Sequence, residues 1–239
     1  HDRYEELLIQ LPGQFRDRNR TKIDMYLHRR DRAPANRGIA ELADNLPRLF
    51  DGVDHIGIGV GPADWEAAML LLRSVFGMTV DEGLDVPDAV GTMRSQALTV
   101  TTDTGGTVRI VASMLPDRLD GHGPLRRRGG LTHAAFACGD IVRAAADCRA
   151  RGLRPLDIPD NYYDDLAARY DLGDAVIAQM KADNILYDAD GAGGEFRHFF
   201  TSTVGDDLFF EIVCRTGGYR GYGEANSAVR VAAAIAARS

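Results

Sequence analysis

An internal repeat that carries a histidine constrains this chain more than any other feature. "VDHIGIGV" (53–60) and "LTHAAFAC" (131–138) each read as an apolar strand with a histidine in third position, His55 and His133, 78 residues apart. Each strand runs into apolar residues at helical spacing: Trp65, Met69, Leu72 and Phe76 after the first, and "IVRAAADCRARGL" ending at Gly152 after the second. β-type segments close both units, "MRSQALTVTT" and "GTVRIVAS" in the first, "EFRHFFTS" and "DLFFEIVCR" in the second. The stretch 161–194, from "NYYDD" to "GAGG", reads as an insertion into the second copy.

The repeat predicts an α+β fold of two tandem βαβββ modules. Module one covers 51–128, module two 129–215, and a last helix 224–239. Residues 1–50 carry apolar positions at helical spacing (Tyr4, Leu7, Leu8, Leu11) around a linker-like "RDRAPANRG", and are expected to form a helical extension.

Side chains alternate across a strand, so His55 is expected to share its face with Val53, Gly57 and Gly59, and His133 with Leu131, Ala135 and Ala137. The small residues beyond each histidine leave space that a close-packed core would fill. "DLFFEIVCR" adds Glu211 to the same problem, because a carboxylate inside an apolar strand is costly unless paired or bound to a cation. One strand histidine is most often a hydrogen-bonded core residue. Two at matched repeat positions, with an in-strand glutamate, point instead to a metal site. Two imidazoles and one carboxylate make a facial triad with open positions, the set used by non-haem Fe(II) oxygenases; Mn, Co, Zn or Mg can be held in a similar way.

Composition limits the partners. The 239 residues carry a formal charge of −7, which argues against nucleic acid and anionic membranes as main partners. No apolar run is long enough to span a bilayer and no signal peptide is visible, so a cytoplasmic location is expected. Cys138, Cys148 and Cys214 form no CxxC pair and read as free buried thiols in a reducing compartment. "GIGVGP" lacks the third glycine of a dinucleotide loop, and Arg126–Arg128 read as a solvated loop. Tyr162 and Tyr163 read as packing residues, and Gly217, Gly218, Gly221 and Gly223 as a turn before the last helix.

From Val53 onward the chain resembles the vicinal-oxygen-chelate superfamily, and within it the catalytic C-terminal half of the 4-hydroxyphenylpyruvate dioxygenases. "VDHIGIGV", "LTHAAFACGDI", "PDNYYDDLAARY", "ILYDADGAGGEFRHFFTSTV" and "LFFEIVCRTGGYRGYGEAN" stand in that family's order. The resemblance implies a sheet curled into a half-open barrel, with Fe(II) on His55, His133 and Glu211. It implies a small-molecule acid and O2 as substrates. In that family a 2-oxo acid chelates the iron, O2 takes a remaining position, the acid loses CO2, and its organic group is oxidised.

The departures fall in the expected substrate pocket, which comprises His198, Phe200, Asn226 and Ser227. His198 stands where the family has Gln, on the face of Phe196 and Phe200, as a pocket or second-layer donor. Asn226-Ser227 stands where the family has Asn-Phe, so an aromatic ring is missing and a substrate other than 4-hydroxyphenylpyruvate is expected. "NYYDDLAARYDL", "ILYDADGAGGEF" and "GGYRGYG" are most similar to the dioxygenase-like C-terminal domain of bacterial 3-dehydroshikimate dehydratases. That similarity implies an upstream fused domain and opens a second reading, a catalytically quiet metal-binding domain of a bifunctional dehydratase. A first residue other than Met suits such a fragment. A homo-oligomer is equally compatible.

Overall fold

The computed structural model describes residues 49–88, 91–114, 129–204 and 208–237. Module one runs β1 (Gly52–Val60), a 3-10 turn (Pro62–Asp64), α1 (Trp65–Ser74), β2 (Thr79–Asp88), β3 (Gly91–Thr101) and β4 (Thr107–Met114). Module two runs β5 (Gly130–Ala137), α2 (Ile141–Ala150), α3 (Asp160–Arg169), α4 (Asp174–Asp183), β6 (Leu186–Ala189), β7 (Glu195–Phe200) and β8 (Phe209–Thr216). A second 3-10 turn (Glu224–Asn226) leads into α5 (Ser227–Ala236).

All eight strands join one mixed sheet in the order β2-β3-β4-β1-β5-β8-β7-β6. Counted outward from the β1–β5 seam, each module contributes its first, fourth, third and second strand. β1 lies parallel to β4 and β5 parallel to β8, while the seam itself is antiparallel. The sheet curls into a half-barrel. This pseudo-twofold arrangement puts the two histidine strands side by side at its centre.

Packing follows the sequence pattern. α1 buries Trp65, Met69 and Leu72, at i, i+4 and i+7, against Leu98 and Ala112, with Ile58 and Val60 of β1 alongside. Each such fully buried side chain contributes about 1.5–3 kcal/mol by leaving water. Because Ile58 and Val60 face α1, the intervening residues of β1 face the concave side of the sheet. α2 starts at Asp140, whose carboxylate accepts from the Arg143 amide at 3.0 Å, and ends near Gly152 at φ 86°. Its buried face (Ile141, Ala144, Ala145, Cys148) joins Tyr163 and Leu166 of α3, Met180 of α4 and Ile212 of β8 in the larger core.

The structure departs from the sequence expectation at several points. The βαβββ pattern requires β2 but the sequence does not locate it, since "TVDEGLDVPD" is acidic, contains Gly83 and Pro87, and does not alternate. β6 lies inside the expected insertion; the inserted part is the α3–α4 pair, and "LYDA" supplies the module's missing strand. Val53 does not share the face of His55, because it is 56% exposed where His55 is 2%. The expected extension falls outside the described residues up to residue 48, as does the Arg126–Arg128 loop.

Candidate metal centre

His55, His133 and Glu211 converge on the concave face at the seam. His55 Nε2 lies 3.2 Å from His133 Nε2 and 3.3 Å from Glu211 Oε2, and His133 Nε2 lies 3.9 Å from that same oxygen. A point inside this triangle is about 2.0 Å from all three atoms, the distance at which nitrogen and carboxylate ligands bind a divalent ion such as zinc. Two inward-facing Nε2 atoms and one carboxylate oxygen fit a divalent cation as a donor set.

Each histidine is aimed by the residue that precedes it. Between Val53 and His55 two residues of β1 stand opposite one of β5, so Asp54 is the extra residue of a β-bulge. Between Gly57 and Ile58 the excess lies on β5, and there the extra residue is Thr132. The bulges break strict alternation, so Asp54 Oδ1 reaches His55 Nδ1 at 2.8 Å and Thr132 Oγ1 reaches His133 Nδ1 at 3.1 Å. Holding Nδ1 leaves Nε2 as the inward ligand atom. The expected sharing of a face by Leu131 and His133 is interrupted at the second bulge.

Glycine supplies the room. Gly57 pairs with His133 across the seam, and a Cβ at Gly57 would lie 2.0 Å from His133 Cε1 and Nδ1. The space read from the sequence as a ligand cavity is therefore occupied, at Gly57, by the other histidine. Phe209 stacks on the opposite side of that ring, 4.9 Å between centroids and 15° between planes.

Behind these residues lie two buried polar supports. Arg215, on the Glu211 face of β8, forks onto Asp54 with Nε–Oδ2 and NH2–Oδ1 both 2.8 Å, and also donates to the Gly221 carbonyl. Its guanidinium lies over Phe196 (4.6 Å) and Tyr222 (5.0 Å). The second support reaches Glu211. The Tyr187 amide donates to the Tyr162 hydroxyl (2.9 Å), which donates to Asn226 Oδ1 (3.0 Å). Asn226 Nδ2 donates to the Tyr187 carbonyl (3.0 Å) and to His198 Nε2 (2.9 Å). With Nε2 accepting, these partners assign the proton to His198 Nδ1, which donates to Glu211 Oε1 at 2.6 Å and turns Oε2 inward.

The two histidines differ in charge. Burial opposes protonation of His55, but the hydrogen bonds and charges of Asp54 and Glu211 prevail and push it up to about 9. Burial pushes His133 down to about 3, with Arg230 adding to the effect. For Glu211, burial works against ionisation, yet His198 and His55 hold the carboxyl well below its usual range. Without metal, a proton on His55 Nε2 sits where the cation would sit. A divalent ion must displace that proton at neutral pH, so affinity rises with pH. We expect Co(II) or Zn(II) to bind about tenfold more tightly per pH unit up to about 9, with about one proton released. Metal titrations at several pH values in buffers of different ionisation enthalpy measure both, and a pH-independent affinity would contradict the assignment.

The other residues singled out in the sequence fall around this centre. Phe200 is buried, opposite Glu211 in the β7–β8 register and edge-on to His198. Ser227 opens α5 and is half-buried, while Asn226 is fully buried behind His198. Sequence reasoning missed Asp54, Thr132 and Arg215. Aligning the two repeats with each other puts Asp54 and Thr132 at one position, and Arg215 stands four residues after Glu211 on its face.

Fold and site together define the class. The family described as the Glyoxalase/Bleomycin resistance protein/Dioxygenase superfamily matches residues 52–196, and the chain belongs to it. Its relatives sharpen the placement. The chain is 38% identical over 190 residues to the 3-dehydroshikimate dehydratase of Pseudomonas putida, covering 78% of this chain and 29% of that protein. It is 34% identical over 99 residues to the 4-hydroxyphenylpyruvate dioxygenase of Legionella pneumophila, covering 41% of this chain and 28% of that one. Among solved structures it matches a xylose isomerase-like TIM barrel/4-hydroxyphenylpyruvate dioxygenase fusion protein at TM-score 0.68 and 35% identity, covering 77% of this chain and 29% of the other. The chain thus spans less than a third of each of these proteins.

Proposed function

We propose that this domain holds a divalent metal, Fe(II) foremost, on His55, His133 and Glu211, and serves the oxidation of a 2-oxo acid or aromatic acid by O2. One observation carries the reading: three ligand atoms converge within bonding reach of a common point, and each ligand is held from behind. Iron bound there would supply the meeting point for the acid's oxygens and O2, and the electrons O2 needs.

The chain's own residues set the approach. The His133 side chain is 15% exposed, against 2% for His55 and 3% for Glu211, so a ligand enters past His133. Phe209 flanks that entrance, Phe200 adjoins it, and the Arg230 guanidinium of α5 lies 4.5 Å from the Phe209 ring centre. An acid bound at the metal by one end would run along these rings, with Arg230 placed to meet a second anionic group. Phe200 and Ser227 are assigned to the pocket wall, while His198 and Asn226 act from behind by fixing Glu211.

A second reading is a metal-bearing but catalytically quiet domain that supports an attached dehydratase. It is favoured by the 38% identity to a 3-dehydroshikimate dehydratase of which this chain covers only 29%. No helix among the described residues is long and apolar enough to cross a membrane.

The deciding experiment reconstitutes the protein anaerobically with Fe(II), measures metal per chain, and follows O2 uptake across a panel of 2-oxo and aromatic acids. Near-stoichiometric iron with turnover on one acid is the expected result. Stoichiometric iron without uptake on any acid would select the quiet domain. His133→Ala is expected to fall below about 0.1 metal per chain, since one of three ligands is gone; full metal content in that variant would refute the site.

A further inference from the structure

The described residues include a second reactive cluster, unconnected with the metal ligands: two cysteines at the far end of the β5–β8 ladder. Ala137 pairs with Val213 at the end of that parallel ladder, and the Cys138 amide continues it by donating to the Val213 carbonyl at 2.8 Å. Cys138 and Cys214 are thus the next residues in register. Parallel neighbours stand about 4.7–4.9 Å apart, inside the Cα separation a disulfide spans. Both side chains belong to the larger core, and the Cys214 thiol donates to the Gly139 carbonyl at 3.7 Å. Both residues are buried and unbridged.

We propose that Cys138 and Cys214 are an oxidisable dithiol, closed to a disulfide across β5 and β8 by a peroxide and reopened by a thiol reductant. Beside the Cys138 thiol the pKa of Cys214 is lowered although burial opposes it, which makes Cys214 the nucleophile. Its thiolate attacks hydrogen peroxide and the O–O bond breaks, leaving a sulfenic acid on Cys214 and hydroxide, which takes up a proton to become water. The Cys138 sulfur then attacks the Cys214 sulfur, the S–O bond breaks, and a second water leaves with the remaining thiol proton. Two thiols lose two electrons and two protons, and one peroxide becomes two waters. Peroxide is small enough for thiols that are 7% and 9% exposed. The bridge ties the strand that carries His133 to the strand that carries Glu211, five and three residues beyond them.

Cys148, buried in α2, is the internal control. The full chain, with a chelator present to remove metal-driven oxidation, is treated with hydrogen peroxide, alkylated and mapped by mass spectrometry. We expect one disulfide joining the Cys138 and Cys214 peptides, a loss of two of the three titratable thiols, and full recovery with dithiothreitol. Cys148→Ser is expected to form the bridge as the wild type does. Cys138→Ser is expected to leave Cys214 as sulfenic or sulfinic acid; should that variant fail to fold, wild-type mapping decides alone. Three intact thiols, or oxidation that favours Cys148, would overturn the proposal. Because the readout is metal-free and counts thiols, its outcome is independent of the oxygenase reading.

Discussion

Gly57→Ala is expected to remove the metal from an otherwise folded protein. The added methyl would sit 2.0 Å from Cε1 and Nδ1 of His133 and 2.7 Å from Nε2, well inside contact distance. The imidazole cannot retreat, because Phe209 stacks on it and Thr132 holds Nδ1. The ring must rotate away and take Nε2 with it. Crowding of this kind costs about 1–3 kcal/mol of stability. The loss of a ligand is the larger effect, exceeding the 10–100-fold that displacement of a supporting residue causes. Metal content and thermal unfolding read the two separately. Gly52→Ala, on the same strand with nothing within 4 Å of the new methyl, is the matched control and should retain its metal. Wild-type metal content in Gly57→Ala would show that His133 is not positioned as described.

The largest stability effect is expected at Arg215. Replacing it with methionine keeps much of the volume but strips the guanidinium fork from the buried Asp54 carboxylate and leaves His55 as its charged partner. Breaking a buried pair from one side costs about 3–5 kcal/mol, and the His55 imidazolium that still faces Asp54 holds the loss toward the lower figure. For a domain of this size that lowers Tm by about 6–20 °C. Asp54→Asn combined with Arg215→Met removes the stranded charge and should recover part of the loss, a coupling that a double-mutant cycle measures. Both forms should bind metal more weakly, since Asp54 loses the fork that positions it in one and its charge in the other, and the His55 ring is held less firmly. A Tm within 2 °C of wild type for Arg215→Met would mean that Asp54 reaches solvent.

The three converging ligands were legible because they depend on pattern. The repeat placed two histidines at one structural position, and Glu211 stood out as a charge within apolar surroundings. What surrounds them was not legible, for a geometric reason. Period-two reasoning assumes an unbroken ladder, and both faults of the β1–β5 ladder lie immediately before a histidine. That assumption sent Asp54 to the wrong face and Val53 to the right one, whereas the structure does the reverse. Arg215 follows the alternation, yet a cation near the chain's end reads as surface until Asp54 is known to lie inside. The relay through Tyr162, Asn226 and His198 draws on α3, the turn before α5, and β7. No local pattern brings those three together; only the folded sheet does. β6 shows the opposite failure, a four-residue strand too short to be distinguished from the loops on either side.

The seam order has a final consequence, in the number of ligand positions the duplication makes available. Glu211 stands on β8 beside Ala135 of β5, two residues past a ligand histidine. Applying the same step to module one leads from His55 to Gly57, and across the parallel ladder to Val111 of β4. Two copies of one unit thus offer four symmetry-related positions, and this chain fills three with side chains that could hold a metal ion and the fourth with an aliphatic one. One half offers a donor pair and the other a single donor. Val111 thus marks the symmetry position at which the duplicated fold would accept a further protein donor.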